Sequence, residues 1–500
     1  MNPEPLDTIA VLDFGGPYAH LIANRIRRIG VFTQVFSSCT PVETLSYVKG
    51  VIFSGGKAAL DIDVPTLEIC HGHQLHDNAL LENFALNICE CEKSWSVKSH
   101  LPQLSEKIIE SVGNKKVFLL VSGGVDSTVT FVLLNKVLGC ERVLGLHIDN
   151  GMMRLNESDY VFDFLQKEGM ENLQLCDASE DFIDALSGVA EPEEKRKIIG
   201  DTFLRVKDRE MLRLSLAEDE WMIAQGTIYP DTVESGNTKN SDFIKTHHNR
   251  VQGVLDLQER GLLLEPLADL YKDEVRILGE ELEIPKELIW RHPFPGPGLG
   301  VRLLCSNGKA TGKTLDDIPE LKKALNELSI KAQLLPVKSV GFQNDLRTYA
   351  KALLIESEFS WEILEKHSID LIDRFKDINR SAWLVEKVAD SPFEITEQYC
   401  TKESLDMLRV FDDICLKFLL ENNLYSKIWQ MPVVLLPLKI AGKPCIVIRP
   451  VNSTEAMTAS FAKIDQNLLK NSLWPKLKEA GLGALLYDIT HKPPATIEWE

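Results

Sequence analysis

An apolar run, Val117–Val121, halts at Ser122-Gly123-Gly124, and Val125, Asp126 and Ser127 lead into a second apolar run, "TVTFVLL". The first run reads as a buried strand and the second as a helix, so the glycines form the turn between them. Glycine lets the chain turn tightly and aim several N–H groups at one point. The helix N-terminus adds positive potential. The chemistry this allows is phosphate binding. Ser122 and Ser127 could bond phosphate oxygens. Asp126 would repel phosphate unless a cation intervenes, so Mg²⁺ is implied. The G-K-[ST] ending of a Walker A loop is missing.

Ser-Gly-Gly-Val-Asp-Ser resembles the pyrophosphate-binding loop of the N-type ATP pyrophosphatases. That group includes GMP synthase, NAD synthetase, asparagine and argininosuccinate synthetases and tRNA thiolases. Within it, "LHIDNGMMR", "EEKRKIIGDTF", "AQGTIYPDTVES", "IKTHHN", "YKDEVRILGEELEIP", "RHPFPGPGLGVR", "QMPVVLLP" and "THKPPATIEWE" resemble the GMP synthase family, in that order. The resemblance runs from about residue 115 to the end and is highly specific. It implies that ATP is cleaved between its α- and β-phosphates, with Val121, Ser122, Gly123, Gly124, Val125, Asp126 and Ser127 holding the phosphates. It implies XMP contacts at Arg196, Asp345, Gln430, Lys492 and Glu498, and pyrophosphate-neutralising roles for Lys245 and Lys272. Those types suit the ligand: cations for a phosphate, carboxylates and amides for a purine edge and ribose hydroxyls. Adjacent His247 and His248 would point apart on regular structure and read poorly as metal ligands.

The N-terminal stretches "LDFGGPY", "GVIFSGG" and "LEICHGHQ" resemble a class I glutamine amidotransferase, with Cys70 at the nucleophile position. The family's later F-H-P-E element is absent, and Glu68 stands where the elbow glycine is expected. His71, His73 and His76, on the following helix, would point away from the sulfur. The expectation is a degenerate, shortened glutaminase domain with an inactive Cys70, so that free ammonia, a partner glutaminase or glutamine itself supplies the nitrogen.

The elements that must position these groups follow from the pattern. Strand-like "TIAVLD", "FTQVF" and "GVIFS", with the helical "YAHLIANRIRRIG" between, predict a first parallel sheet. "KVFLLVS", "RVLGLHIDN", "NLQLCDA" and "EWMIAQGT" predict a second. "RHPFPGPGLG" reads as a rigid loop at a domain boundary. Beyond it, L-L-P-x-K occurs at Leu334 and again at Leu435, hinting at a duplicated α+β unit. The fold class expected is therefore α/β. A shortened flavodoxin-like glutaminase remnant (1–105) precedes a Rossmann-like ATP pyrophosphatase domain (106–291). A C-terminal α+β dimerisation-type domain with an internal duplication follows (292–500).

Composition narrows the partners. The 500 residues carry a formal net charge of -19, which argues against a nucleic-acid partner and against an RNA-modifying enzyme. The ten cysteines are scattered, with only Cys89 and Cys91 close, so free thiols in a reducing cytoplasm are expected. No signal peptide or membrane-spanning run is evident. Monomer and homodimer are both compatible with a duplicated C-terminal domain. A nucleotide-binding pseudoenzyme is the remaining alternative, and the intact charged positions speak against it.

Overall fold

A computed structural model describes residues 6–15, 18–56, 62–69, 78–216, 220–234, 257–309, 312–343, 346–453 and 458–500. The chain forms two compact units. One holds Met1–Leu146, Met170–Gln174 and Leu216–Arg291; the other holds His147–Gly169, Leu175–Ser215 and His292–Glu500. Among the described residues no helix is long and apolar enough to cross a membrane.

The first unit begins with β1 (Thr8–Asp13), α1 (Ala19–Ile29), β2 (Phe32–Ser37), β3 (Gly50–Ser54) and β4 (Thr66–Ile69). The four strands pair in parallel in the order β2-β1-β3-β4. Residues of β1 and β3 are buried on both faces, which is why they read as continuous apolar runs rather than alternating ones. Helix α1 turns Ile22, Ala23 and Ile26 onto the core formed by Ile9, Val11 and Ile52.

A five-stranded sheet follows, of β5 (Lys116–Leu120), β6 (Val143–Asp149), β7 (Leu173–Asp177), β8 (Trp221–Ala224) and β9 (Leu263–Leu264). Its order is β7-β6-β5-β8-β9. From β5 the chain first builds outward through β6 and β7, then returns to place β8 on the other side of β5. The carboxyl end of β5 is therefore a topological switch point, where open α/β sheets leave a crevice for ligand. Helix α2 (Val125–Leu138) has no polar face because Val129, Phe131, Val132, Leu133 and Leu134 are all buried.

The second unit is built on a seven-stranded sheet: β10 (Ala332–Gln343), β11 (Leu346–Ile355), β12 (Ile378–Lys387), β13 (Glu394–Ile395), β14 (Val433–Ile440), β15 (Lys443–Ile448) and β16 (Ala484–Asp488). The order is β10-β11-β12-β16-β15-β14-β13. Antiparallel β10–β11 leads through a helix (Trp361–Arg374) to parallel β12. Antiparallel β14–β15 leads through a helical stretch, 466–479, to parallel β16. The two ββαβ units meet through antiparallel β12–β16. Each L-L-P-x-K segment is the opening strand of one unit, and both ladders slip register around the proline, Pro336 or Pro437. Proline cannot donate to a ladder, so a bulge there is expected.

Candidate functional site

The glycine turn lies at the carboxyl end of β5. Val121 N–H donates to the Leu146 carbonyl at 2.9 Å and anchors its start. Gly123 takes φ 78, which a side chain would disfavour. The Ser122 and Ser127 hydroxyls are 3.0 Å apart, and Gly124 N–H donates to Ser122 Oγ at 3.3 Å. Gly124 caps α2 with no side-chain acceptor, so no side chain at the cap occupies the first amides of the helix. Gly226, in "AQGT", approaches closely: a Cβ there would sit 3.1 Å from Asp126 C and from Ser127 N. Its neighbours leave two buried oxygens, Gln225 Oε1 and Thr227 Oγ1, without a hydrogen-bond partner among the described residues.

Asp126 already accepts a cation. Lys272 Nζ donates to both of its carboxylate oxygens, at 2.6 and 2.5 Å. Lys272 opens helix α3 (Lys272–Glu281), and buried groups of the same unit fix that helix start. Glu274 accepts from Tyr271 N–H at 2.9 Å, from Trp95 Nε1 at 2.7 Å and from Arg27 Nη1 at 2.9 Å. The Arg27 guanidinium lies over the rings of Phe32, Trp95, Tyr229 and Tyr271, 4.7 to 5.2 Å from their centroids. One carboxylate with two hydroxyls at the glycine turn would suit Mg²⁺, which commonly takes one or two carboxylates and completes its shell with substrate oxygens and water. No cluster of three or more His, Cys, Asp or Glu side chains able to hold a metal occurs among the described residues.

In the second unit the charged residues gather on the loop 292–303 and the tail 490–500. Glu498 takes the Arg302 guanidinium, with Nη2 at 2.9 Å and Nε at 3.2 and 3.3 Å. Arg302 is fully buried; burial would lower its pKa, but Glu498 more than offsets this and holds it above the ordinary value. Its Nη1 has no partner among the described residues. The Arg302 and Arg154 guanidinium groups lie over Phe294, at 5.2 and 4.7 Å. Gln430 Nε2 donates to the Pro293 carbonyl at 2.8 Å, on the same loop.

Arg196 Nη2 donates to Glu193 at 2.7 Å. Glu193 also accepts from Tyr349 Oη and Arg347 Nη1, each at 2.7 Å, and these donors, Arg196 first, hold its carboxyl below the usual range. Lys195, the residue before Arg196, is fully buried, donates to the Leu303 carbonyl at 2.9 Å and pairs with Glu500. Burial opposes its charge, yet Glu500 keeps its pKa above the ordinary lysine value. Thus Lys195, Gln430 and Glu498, distant in sequence, are all tied to one loop, and Arg196 follows Lys195 in the chain. Lys492 sits on the tail with Glu498, its backbone paired to Ala459 in both directions, at 3.0 and 2.7 Å.

The tail rests on a buried ionic cluster. Asp488 pairs with Arg380 at 2.6 Å and Arg449 at 2.8 Å, and all three side chains are fully buried. Burial alone would raise the Asp488 pKa; Arg449 and Arg380 hold it down. Burial pushes the Arg449 pKa down to about 10. Arg380 Nη2 donates to the carbonyls of Val340, Thr496 and Glu498, at 3.0, 3.1 and 3.1 Å, and Trp499 Nε1 donates to Asp488 at 2.9 Å. Cys70, Lys245, Asp345 and the histidines at 71, 73, 76, 247 and 248 lie outside the described residues.

The comparisons fit this geometry. Residues 98–227 match the NAD synthase family, and residues 417–499 match the GMP synthase C terminal domain. A probable glutamine-hydrolysing GMP synthase of Leptospira interrogans (serovar copenhageni) is 37% identical over 602 aligned positions, covering 98% of this chain and 99% of the relative. The chain belongs to the glutamine-hydrolysing GMP synthase family. The GMP synthase of Dictyostelium discoideum is 34% identical, over 84% of this chain and 68% of that protein. That of Bacillus cereus (strain ATCC 10987 / NRS 248) is 32% identical, over 75% of this chain and 96% of its own. The Leptospira alignment is longer than the 500 residues of this chain, so the relative carries residues that this chain lacks. The NAD synthase match takes in the glycine turn and Arg196; the C-terminal match takes in Gln430, Lys492 and Glu498.

Sequence reasoning missed Arg302, Lys195, Glu274 and Arg380. Arg302 and Lys195 stood inside quoted motifs, "GPGLGVR" and "EEKR", and a charged residue flanked by prolines, glycines or other site residues was the available signal. Nothing local marked Arg380, in "DINRSAWLV".

Proposed function

We propose that this chain aminates XMP to GMP at the expense of ATP, releasing AMP and pyrophosphate. The XMP C2 oxygen attacks the α-phosphorus and pyrophosphate departs. Ammonia then displaces AMP from C2. The observation that carries the reading is an uncapped glycine turn at a sheet switch point whose aspartate already holds a cation, in a chain matched almost end to end by GMP synthases.

The roles follow from the chemistry. The amides of Gly123 to Ser127 and the Ser122 and Ser127 hydroxyls bind the pyrophosphate oxygens. Asp126 would hold Mg²⁺, which supplies charge neutralisation at the departing phosphates when bound. Lys272, paired with Asp126 in this structure, is then free to bond pyrophosphate, and Lys245 serves the same end. Arg196 and Lys492 bind the XMP phosphate, while Asp345, Gln430 and Glu498 orient its ribose and base. Arg302 fixes the Glu498 carboxylate. The work of the protein is positioning and electrostatics.

Ammonia is the proposed nitrogen source, because no F-H-P-E element lies between Cys70 and Ser122. The location proposed is the cytoplasm. Purified protein given ATP, Mg²⁺ and XMP should form AMP and GMP with ammonium. No XMP-dependent AMP would end the reading. Glutamine-driven turnover lost in Cys70→Ala would overturn the ammonia assignment alone.

A further inference from the structure

Two thiols that the proposed reaction does not use lie against each other in the second unit. Cys305 Sγ and Cys400 Sγ are 3.8 Å apart. Neither is engaged elsewhere as a disulfide. Lys195 Nζ stands 3.8 Å from Cys305 Sγ, a fully buried ammonium beside a thiol pair. The segments bearing the thiols are held in place: Ser306 and Asn307 pair antiparallel with Gln398 and Glu397, and Gln398 Nε2 donates to the Leu304 carbonyl at 2.7 Å. Cys400 is buried, whereas Cys305 is half-buried and offers small oxidants an approach.

We propose that Cys305 and Cys400 form a dithiol that hydrogen peroxide converts reversibly to an intramolecular disulfide. A nearby cation favours the thiolate, which is the reactive form. The hydrogen bond from Cys305, aided by Lys195, holds the Cys400 thiol below its usual range. One thiolate attacks peroxide, the O–O bond breaks, and a sulfenic acid and hydroxide form. The second thiol attacks the sulfenic sulfur, the S–S bond forms and water leaves. Two thiols and one peroxide thus yield one disulfide and two waters. The sulfurs must close from 3.8 Å to about 2.0 Å, which draws on the segments that bear them.

Closing that bond moves Cys305, two residues from the Leu303 carbonyl that holds Lys195 and three from the Arg302 that holds Glu498. Resting on the function proposed above, XMP binding should therefore weaken severalfold on oxidation and recover with dithiothreitol.

The full chain is treated with increasing hydrogen peroxide, free thiols are capped with N-ethylmaleimide, and the digest is read by mass spectrometry. A linked peptide pair joining residues 305 and 400, lost on adding dithiothreitol, is expected. Lys195→Met should slow its formation about tenfold. In Cys305→Ser the linked pair should vanish and a dimedone adduct appear at Cys400. Cys305 and Cys400 still alkylated separately after exposed Cys39 and Cys140 have oxidised would overturn the dithiol, whatever the variants do. A disulfide that forms with no change in XMP affinity would overturn the coupling. Absence of XMP turnover in the reduced protein would instead count against the function proposed above.

Discussion

The glycine turn and the C-terminal tail solve opposite problems. The turn, Val121–Ser127, is contiguous and part-exposed, and the groups proposed to bind phosphate are largely its own backbone. The tail, 490–500, carries long charged side chains held from below by buried Arg380, Asp488 and Arg449 and from the side by Arg302 and Lys195. A backbone cradle needs only the right dihedrals. A side-chain site needs every long group pinned, because each flexible residue costs rotamer entropy when it binds. Preorganisation in one region is local; in the other it is tertiary.

That contrast can be broken most forcefully under the tail. Asp488→Asn leaves two buried guanidinium groups poorly compensated and should destabilise the protein by about 3–5 kcal/mol, read as urea unfolding. A loss below about 1 kcal/mol would mean the cluster is not what holds the tail. The turn should behave the other way. Asp126→Asn should cut XMP-dependent AMP formation by about 10²–10³-fold with the melting temperature nearly unchanged. Activity within threefold of the parent would remove Asp126 from the chemistry.

Glu498→Gln sharpens the comparison. It weakens the hold on a buried arginine and should raise KM for XMP by about 10–30-fold while KM for ATP stays level. Equal effects on both substrates would show that tail and turn are not separable. The smallest effect concerns His292. Its ring stacks on Tyr425 at 4.0 Å, and Nε2–H donates to the Tyr425 carbonyl at 2.8 Å. Burial holds its pKa below the ordinary imidazole value, so the folded protein favours the neutral ring. Below about pH 6.5 the unfolded chain binds the extra proton first, and stability falls as pH falls. The drop in melting temperature between pH 7.5 and pH 5.5 should be smaller in His292→Gln than in the parent; an identical drop would assign the pH dependence to other groups.

Much of the molecule was legible in one dimension. The strands of both parallel sheets and the glycine turn follow from apolar runs and turn residues, because buried parallel strands and strand-to-helix turns are local decisions. The repeated L-L-P-x-K segments hinted at a duplicated α+β unit, and the structure gives that duplication its ββαβ form, each proline at a slip in its ladder. Tertiary structure alone decided who faces whom. Lys272 meets Asp126 across 146 residues of chain, Arg302 meets Glu498 across 196, and Cys305 meets Cys400 across 95. A charge or a thiol carries no local sign of its partner, because Coulomb attraction and contact depend on distance in space, and only the packed core sets that distance.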